Sequence, residues 1–376
     1  MRRLAYLLIC LISLAGPLQK VWGQDRVIPT AVPFLLIAAD ARAAGMGDQG
    51  VATPVDVFSQ QWNPAKYVFA PRGQGIGINY TPYLGDLVSD IFLGNVTYYN
   101  RLDERSSFAA SIKYFSMGEI EAREFPDDIA MHLNPNELTL DVSYGLRLGE
   151  NFAMAVAGRY IRSDLQLQPV DADASSANSF GVDIAAFYQS NELILPAFNG
   201  RWRAGANLSN IGPKIKYDAG GRENFIPTNL KLGGGFDFIL DATSTIGTYL
   251  EVNKLLVPTP PRDPEALDDY NNIGAIEGIF RSFGDAPDGL SEELKEITWA
   301  LGAEYRYDEI FAFRAGYFYE HPEKGARNFV SLGAGFRYSQ VDLDMSYLFS
   351  TSEVISPLEG TLRFGLTFTF GERYHD

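Results

Sequence analysis

The sequence is almost bare of the residues that build covalent or metal-centred chemistry. Of its 376 residues one is cysteine, Cys10, and three are histidine. A lone cysteine excludes an internal disulfide and a cysteine-rich metal site. Basic residues are scarce too: 31 Lys and Arg face 47 Asp and Glu, for a net charge of −16. That balance is the reverse of the footprint that holds nucleic acid. Beyond the amino-terminal stretch no apolar run reaches the ~20 residues a spanning helix needs. What is plentiful is apolar and aromatic: 46% hydrophobic residues, with 25 Phe and 20 Tyr, far too much for a disordered chain.

The first residues set the compartment. Arg2 and Arg3 form a positive n-region, Leu4 to Leu18 is mostly apolar and uncharged, and Val21-Trp22-Gly23 places small residues at −3 and −1 of a cleavage site. This is the pattern of a secretory signal peptide, residues 1–23. Its apolar core is too short for a spanning helix. Cleavage would remove Cys10 together with Arg2, Arg3 and Lys20, leaving 28 basic and 47 acidic residues, a charge of −19. A mature chain placed in a membrane would then cross it as strands.

From Gly73 the sequence alternates with period two, the mark of strands with two unlike faces. In the last segment Leu362, Phe364, Leu366, Phe368 and Phe370 share one face, while Thr361, Arg363, Gly365, Thr367 and Thr369 share the other. Fourteen such segments are expected: 73–81, 89–100, 106–117, 137–148, 152–167, 179–190, 201–210, 228–239, 244–255, 296–306, 310–320, 328–338, 341–350 and 361–370. Most reach the ~9–11 residues of a tilted transmembrane strand. All twenty prolines fall outside them, as expected of strands paired on both sides.

The connections sort by parity. Short ones (101–105, 149–151, 240–243, 307–309, 339–340, with 191–200 the exception) alternate with longer ones (118–136, 168–178, 211–227, 256–295, 351–360). Outer-membrane barrels pair short periplasmic turns with long extracellular loops in this way. The expected fold is therefore all-β: a 14-stranded antiparallel transmembrane barrel, residues 73–376, with both chain ends periplasmic. Its apolar face would meet lipid. The other face carries Glu304, Arg306, Arg314, Arg337, Asp342, Asp344 and Arg363, charges that would be ruinous in hydrocarbon and that can pair across a lumen as braces.

Residues 24–72 do not alternate, and form the expected plug. Gly45-Met46-Gly47-Asp48-Gln49-Gly50 matches the dinucleotide fingerprint formally, but that motif needs a strand before it and a helix after it. Here Ala38 to Ala44 reads as helical and Pro54 follows soon after, so the context fails. Glycine without a Cβ suits close packing against other chain. The run from Thr30 to Thr53, with Arg42, Gly45 and Gly47, resembles the mature amino terminus of the PorV family, outer-membrane components of the type IX secretion system. Gln61-Trp62-Asn63-Pro64-Ala65-Lys66-Tyr67 continues the likeness. Trp62-Asn63-Pro64-Ala65 also resembles the wider FadL-type family of fourteen-stranded barrels with an amino-terminal hatch.

That resemblance implies a shuttle. It would bind cargo proteins by their C-terminal signal domain as they leave an SprA-type translocon, and hand them to a surface attachment complex with a PorU-like sortase. It also implies residence in the outer membrane of a Gram-negative bacterium. An alternative is FadL-like uptake of a hydrophobic small molecule, which expects an apolar pocket from the outer loops to the amino-terminal segment. A lipid-modifying enzyme needs a histidine near the membrane-facing wall. His132, His321 and His375 lie in loops and tail, so no enzyme and no cofactor or metal is expected. Binding residues are commonly carried on loops above a rigid scaffold. The candidates are Ile273, Ile276, Ile279, Phe280 and Phe283 in 256–295, with a short helix from about Ser291, and Phe125 and Met131 in 118–136.

Overall fold

The computed structural model describes residues 27–84, 90–123, 127, 129–166, 174–218, 220–261, 263–352 and 359–374. Fourteen long strands form the wall: β1 Arg72–Pro82, β2 Ile91–Arg101, β3 Ser106–Met117, β4 Asn136–Arg147, β5 Phe152–Asp164, β6 Ala177–Gln189, β7 Asn199–Ile211, β8 Asn229–Ile239, β9 Ser244–Leu255, β10 Ile297–Tyr307, β11 Phe311–Tyr319, β12 Asn328–Tyr338, β13 Val341–Ser350 and β14 Leu362–Arg373. Each pairs antiparallel with its neighbours in sequence, and β14 returns to β1 with Ile78 opposite Leu366. The ring is closed, so no strand edge is left over in the wall.

Alternation maps onto the two faces. Ile76, Ile78, Val96, Leu366 and Phe368 stand exposed on the outside, while Asn79, Asn95, Thr97 and Thr367 are buried inside. Aromatic side chains gather near both rims of the outer face: Tyr80, Phe92 and Tyr114 at the long-connection end, Phe198, Trp202, Phe236 and Phe238 at the other. This is the layout of a lipid-facing wall with interfacial girdles. The short connections all lie at one end, together with the longer 190–198, and the remaining connections lie at the other.

Three expectations are adjusted. β1 runs on to Pro82, whose missing N–H is tolerated because it is the last residue of the ladder, opposite Phe92. Short extra pairings occur beyond the wall, Ile120–Ala122 with Met131–Leu133 and Leu193–Ile194 against β7. The helix expected over Ala38–Ala44 is only Ala41–Ala44, because the Asp40 side chain accepts from Ala43 N and caps it there, with Asp40 itself extended.

An even strand count puts the start of β1 and the end of β14 at the same rim, and Tyr374 N indeed donates to Pro71 O at 3.1 Å there. The segment before β1, however, runs through the lumen. Its first described part lies at the opposite, long-connection end, where Ala31 N donates to Phe225 O at 2.9 Å. Val27, the first described residue, and Tyr374 thus lie at opposite ends of the barrel, while both chain ends lie outside the described residues. The signal-peptide residues 1–23 lie outside the described residues.

Candidate functional site

Residues 38–70 fill the lumen, and the wall is shaped to receive them. At Gly47 the backbone has φ +82°, a conformation that favours glycine. Its N–H donates to Ser331 Oγ at 2.9 Å. A Cβ on the inward-facing Gly316 would overlap Gly47 N and Met46 C, and one on Gly205 would overlap Val51 O. Gly45 sits close against Gly333, where a Cβ on Gly333 would stand a tight 3.1 Å from Gly45 Cα. The inward glycines of the strands thus form a recess for the backbone of this segment. Sequence reading did not single them out; their signal was glycine recurring at inward parity on neighbouring strands.

Trp62, Asn63 and Pro64 hold the next turn. Trp62 Nε1 donates to Asp40 Oδ2 at 2.6 Å, and Lys231 Nζ stands 4.2 Å from its ring centroid. Asn63 Nδ2 donates to Val51 O and to Ala186 O of β6, at 3.0 and 2.9 Å. Asn63 also caps the 3-10 turn that opens on Pro64, accepting from Ala65 N. Buried Lys66 donates to Gly50 O at 2.8 Å and Thr53 Oγ1 at 3.2 Å. Glu251 of β9 takes two N–H groups, Gly50 and Val51, each at 2.8 Å.

Arg42 joins this segment to the charged side of the wall. Its Nε and Nη2 reach Glu304 at 3.1 and 3.0 Å, and its Nη1 reaches Asp56 at 2.8 Å. Glu304 also accepts from Arg314 Nε at 2.7 Å, and Arg314 Nη1 reaches Asp344 at 2.6 Å. Arg306 approaches Glu304 at 3.5 Å and Asp237 at 3.7 Å. Arg363, wholly buried, holds Asp48 at 3.0 Å. Arg337 differs in place: it pairs with Asp342 and, at 3.0 Å, with Glu309, half-exposed at the short-connection rim. Sequence reading missed a second lumen cluster, Arg159 between Asp141 and Asp183, although its inward parity was visible.

A cavity of about 480 Å³ remains at the short-connection end, walled by charged groups including Arg42, Asp56, Glu304 and Arg306. At the other end, where hydrophobic uptake expects an apolar pocket, Phe34 packs with Leu93, Phe115, Ile161, Ile215 and Ile226 in one buried cluster.

The longest connection, residues 256–296, is anchored to the rim by buried ion pairs. Lys254 holds Glu293 and Glu296, each at 2.9 Å, and Lys324 holds Glu292 and Glu296 at 2.8 and 3.0 Å. Asp285 accepts from Thr259 N at 3.1 Å; burial, reinforced by Glu293 and Glu296, pushes its carboxyl up to about 6. Short helices span Leu267–Asn272, Ala275–Arg281 and Leu290–Glu293. The five apolar candidates are split between two surfaces. Ile273 is buried with Phe225 and Val257, and Ile279 is half-buried. Ile276, Phe280 and Phe283 are 57%, 74% and 55% exposed, with Leu290 and Leu294 also open. Met131 is exposed on the short hairpin, and Phe125 lies outside the described residues.

A family model described as "Type IX secretion system protein PorV" matches residues 20–262. A comparison with curated proteins found no match. Among solved structures, the chain is similar to the Pseudomonas putida toluene transporter TodX, at 12% identity over 90% of this chain and 99% of that one, with a TM-score of 0.50. The Ralstonia pickettii toluene transporter TbuX aligns at 12% identity over 91% of this chain and 100% of that one, TM-score 0.47. A Pseudomonas aeruginosa FadL homologue aligns at 13% identity over 92% and 100%, TM-score 0.44. At such identities a structural likeness speaks to the fold alone.

Proposed function

The chain belongs to the PorV family of type IX secretion system proteins, and from that membership we propose that it is a shuttle for secreted proteins. It binds cargo by a C-terminal signal domain as the cargo leaves an SprA-type translocon, and delivers it to a surface attachment complex with a PorU-like sortase. In this reading the long connections face the cell exterior, and the strand ends at Arg72 and Arg373 face the periplasm.

One observation supports it most: the lumen is packed with the chain's own residues, while a rigidly anchored outer loop displays Ile276, Phe280 and Phe283 to solvent. Exposed apolar clusters on an ordered scaffold mark interaction sites, and aromatic anchors carry much of the energy of protein interfaces. A packed lumen leaves the outer surface as the place where a partner can be met. Deleting the gene and comparing the secreted proteome with uptake of a labelled long-chain fatty acid tests this reading. Loss of signal-bearing cargo from the surface with normal uptake is expected; intact secretion would overturn the shuttle. Within the protein, Ile276→Asp with Phe280→Asp is expected to leave the barrel inserted and to weaken capture of cargo and translocon in pull-downs.

A further inference from the structure

The amino-terminal segment leaves the barrel beneath the loop to which partner binding is assigned. Ile28 packs against the buried cluster Phe225, Val257 and Ile273, and Ile273 lies two residues before the helix Ala275–Arg281. Ala31 is hydrogen-bonded to Phe225, and Phe34 stacks on Phe115, whose strand β3 ends two residues later at the long-connection rim. Val27 itself is 43% exposed. From there the chain descends through the Arg42–Glu304 contact to Ala70, whose carbonyl accepts from Arg101 Nη1 at 2.9 Å at the short-connection rim. The segment therefore threads the closed ring from one end to the other.

We propose that Val27 is displayed on the outer face, beside Ile28 under the long loop, and that it forms part of the surface that cargo proteins meet. The same chain that fills the lumen then also underpins the docking loop, with Ile28 as the wedge between them. This rests on the reading that the long loops face outward and bind cargo.

The absence of cysteine beyond Cys10 makes the test direct. Val27→Cys, Phe280→Cys and Glu372→Cys, made singly in the full chain, are exposed in intact cells to a membrane-impermeant maleimide. Val27→Cys and Phe280→Cys are expected to label in intact cells, and Glu372→Cys only after permeabilisation. Labelling of Val27→Cys together with Glu372→Cys, while Phe280→Cys labels outside, would overturn the display alone. Labelling of Glu372→Cys in intact cells with the other two protected would overturn the outward orientation and the display with it. A bulky polyethylene-glycol maleimide on Val27→Cys is expected to lower capture of cargo about tenfold, a loss typical of an interface anchor, and on Glu372→Cys to leave it unchanged. Undiminished capture with Val27→Cys fully modified would remove Val27 from the docking surface.

Discussion

Glu304 is the residue on which the charged lumen converges. It is 1% exposed and is approached by Arg42, Arg314 and Arg306. Glu304→Ala would leave three guanidinium groups facing one another, and breaking a buried pair from one side costs about 3–5 kcal/mol. Unfolding in urea, followed in detergent micelles, is expected to show a loss of that size, with Glu304→Ala/Arg42→Met recovering part of it. A loss below about 1 kcal/mol, the scale of solvent-exposed pairs, would show that water in the neighbouring cavity already screens the cluster. The wall members of this cluster were legible in the sequence, because parity alone puts Glu304, Arg314 and Asp344 on the inward face. Their partner Arg42 was legible only as a motif residue, since the segment that carries it has no period from which to read a direction.

At the scale of elements, the fourteen strands follow from the sequence because one buried and one lipid-facing side impose a period of two on every one of them. What that period hides is which inward positions must be empty. Gly316→Ala would drive a Cβ into the backbone of Gly47, where neither partner has a flexible side chain to move, and such overpacking costs about 1–3 kcal/mol. Gly158, with open space around it, serves as the control. In planar bilayers Gly316→Ala is expected to raise conductance by loosening the lumen segment, and Gly158→Ala to leave it unchanged. The long loop makes a different prediction. Asp285 has a carboxyl raised to about 6 by burial, with Glu293 and Glu296 adding to the effect, so the folded loop holds its proton more tightly than the unfolded chain does. A raised acid contributes stability that is complete below its unfolded value and is lost as pH rises through about 6. Hydrogen exchange over residues 256–289, corrected for intrinsic rates, is expected to show stronger protection at pH 5 than at pH 7.5. Asp285→Asn should remove that difference, and its persistence would assign it to another group. The helices of this loop, unlike the strands, are too short for a periodic signal, which is why only the last of them was expected.

For the whole molecule, the decisive property is that a closed ring surrounds a segment whose two ends emerge at opposite rims. Sequence parity fixes the rim at which β1 begins, but nothing local indicates where the segment before it starts, because that depends on contacts such as Ile28 with Val257 and Ala31 with Phe225, far apart in the chain. Once the ring has closed, the segment is retained by Arg42 on Glu304, Asn63 on Ala186, the backbone of Gly50 and Val51 on Glu251, and the cluster around Phe34. These contacts lie along its whole length, so the covalent link to β1 adds little to its retention. A protease site inserted at the exposed Pro71 and cut after folding is therefore expected to leave residues 27–70 bound to the barrel in non-denaturing detergent, with conductance as low as before cleavage. Only denaturant should separate the two pieces. Release of the fragment on cleavage, with a rise in conductance, would mean that the lumen is held shut by its tether, and would reopen passage through the barrel as part of its work.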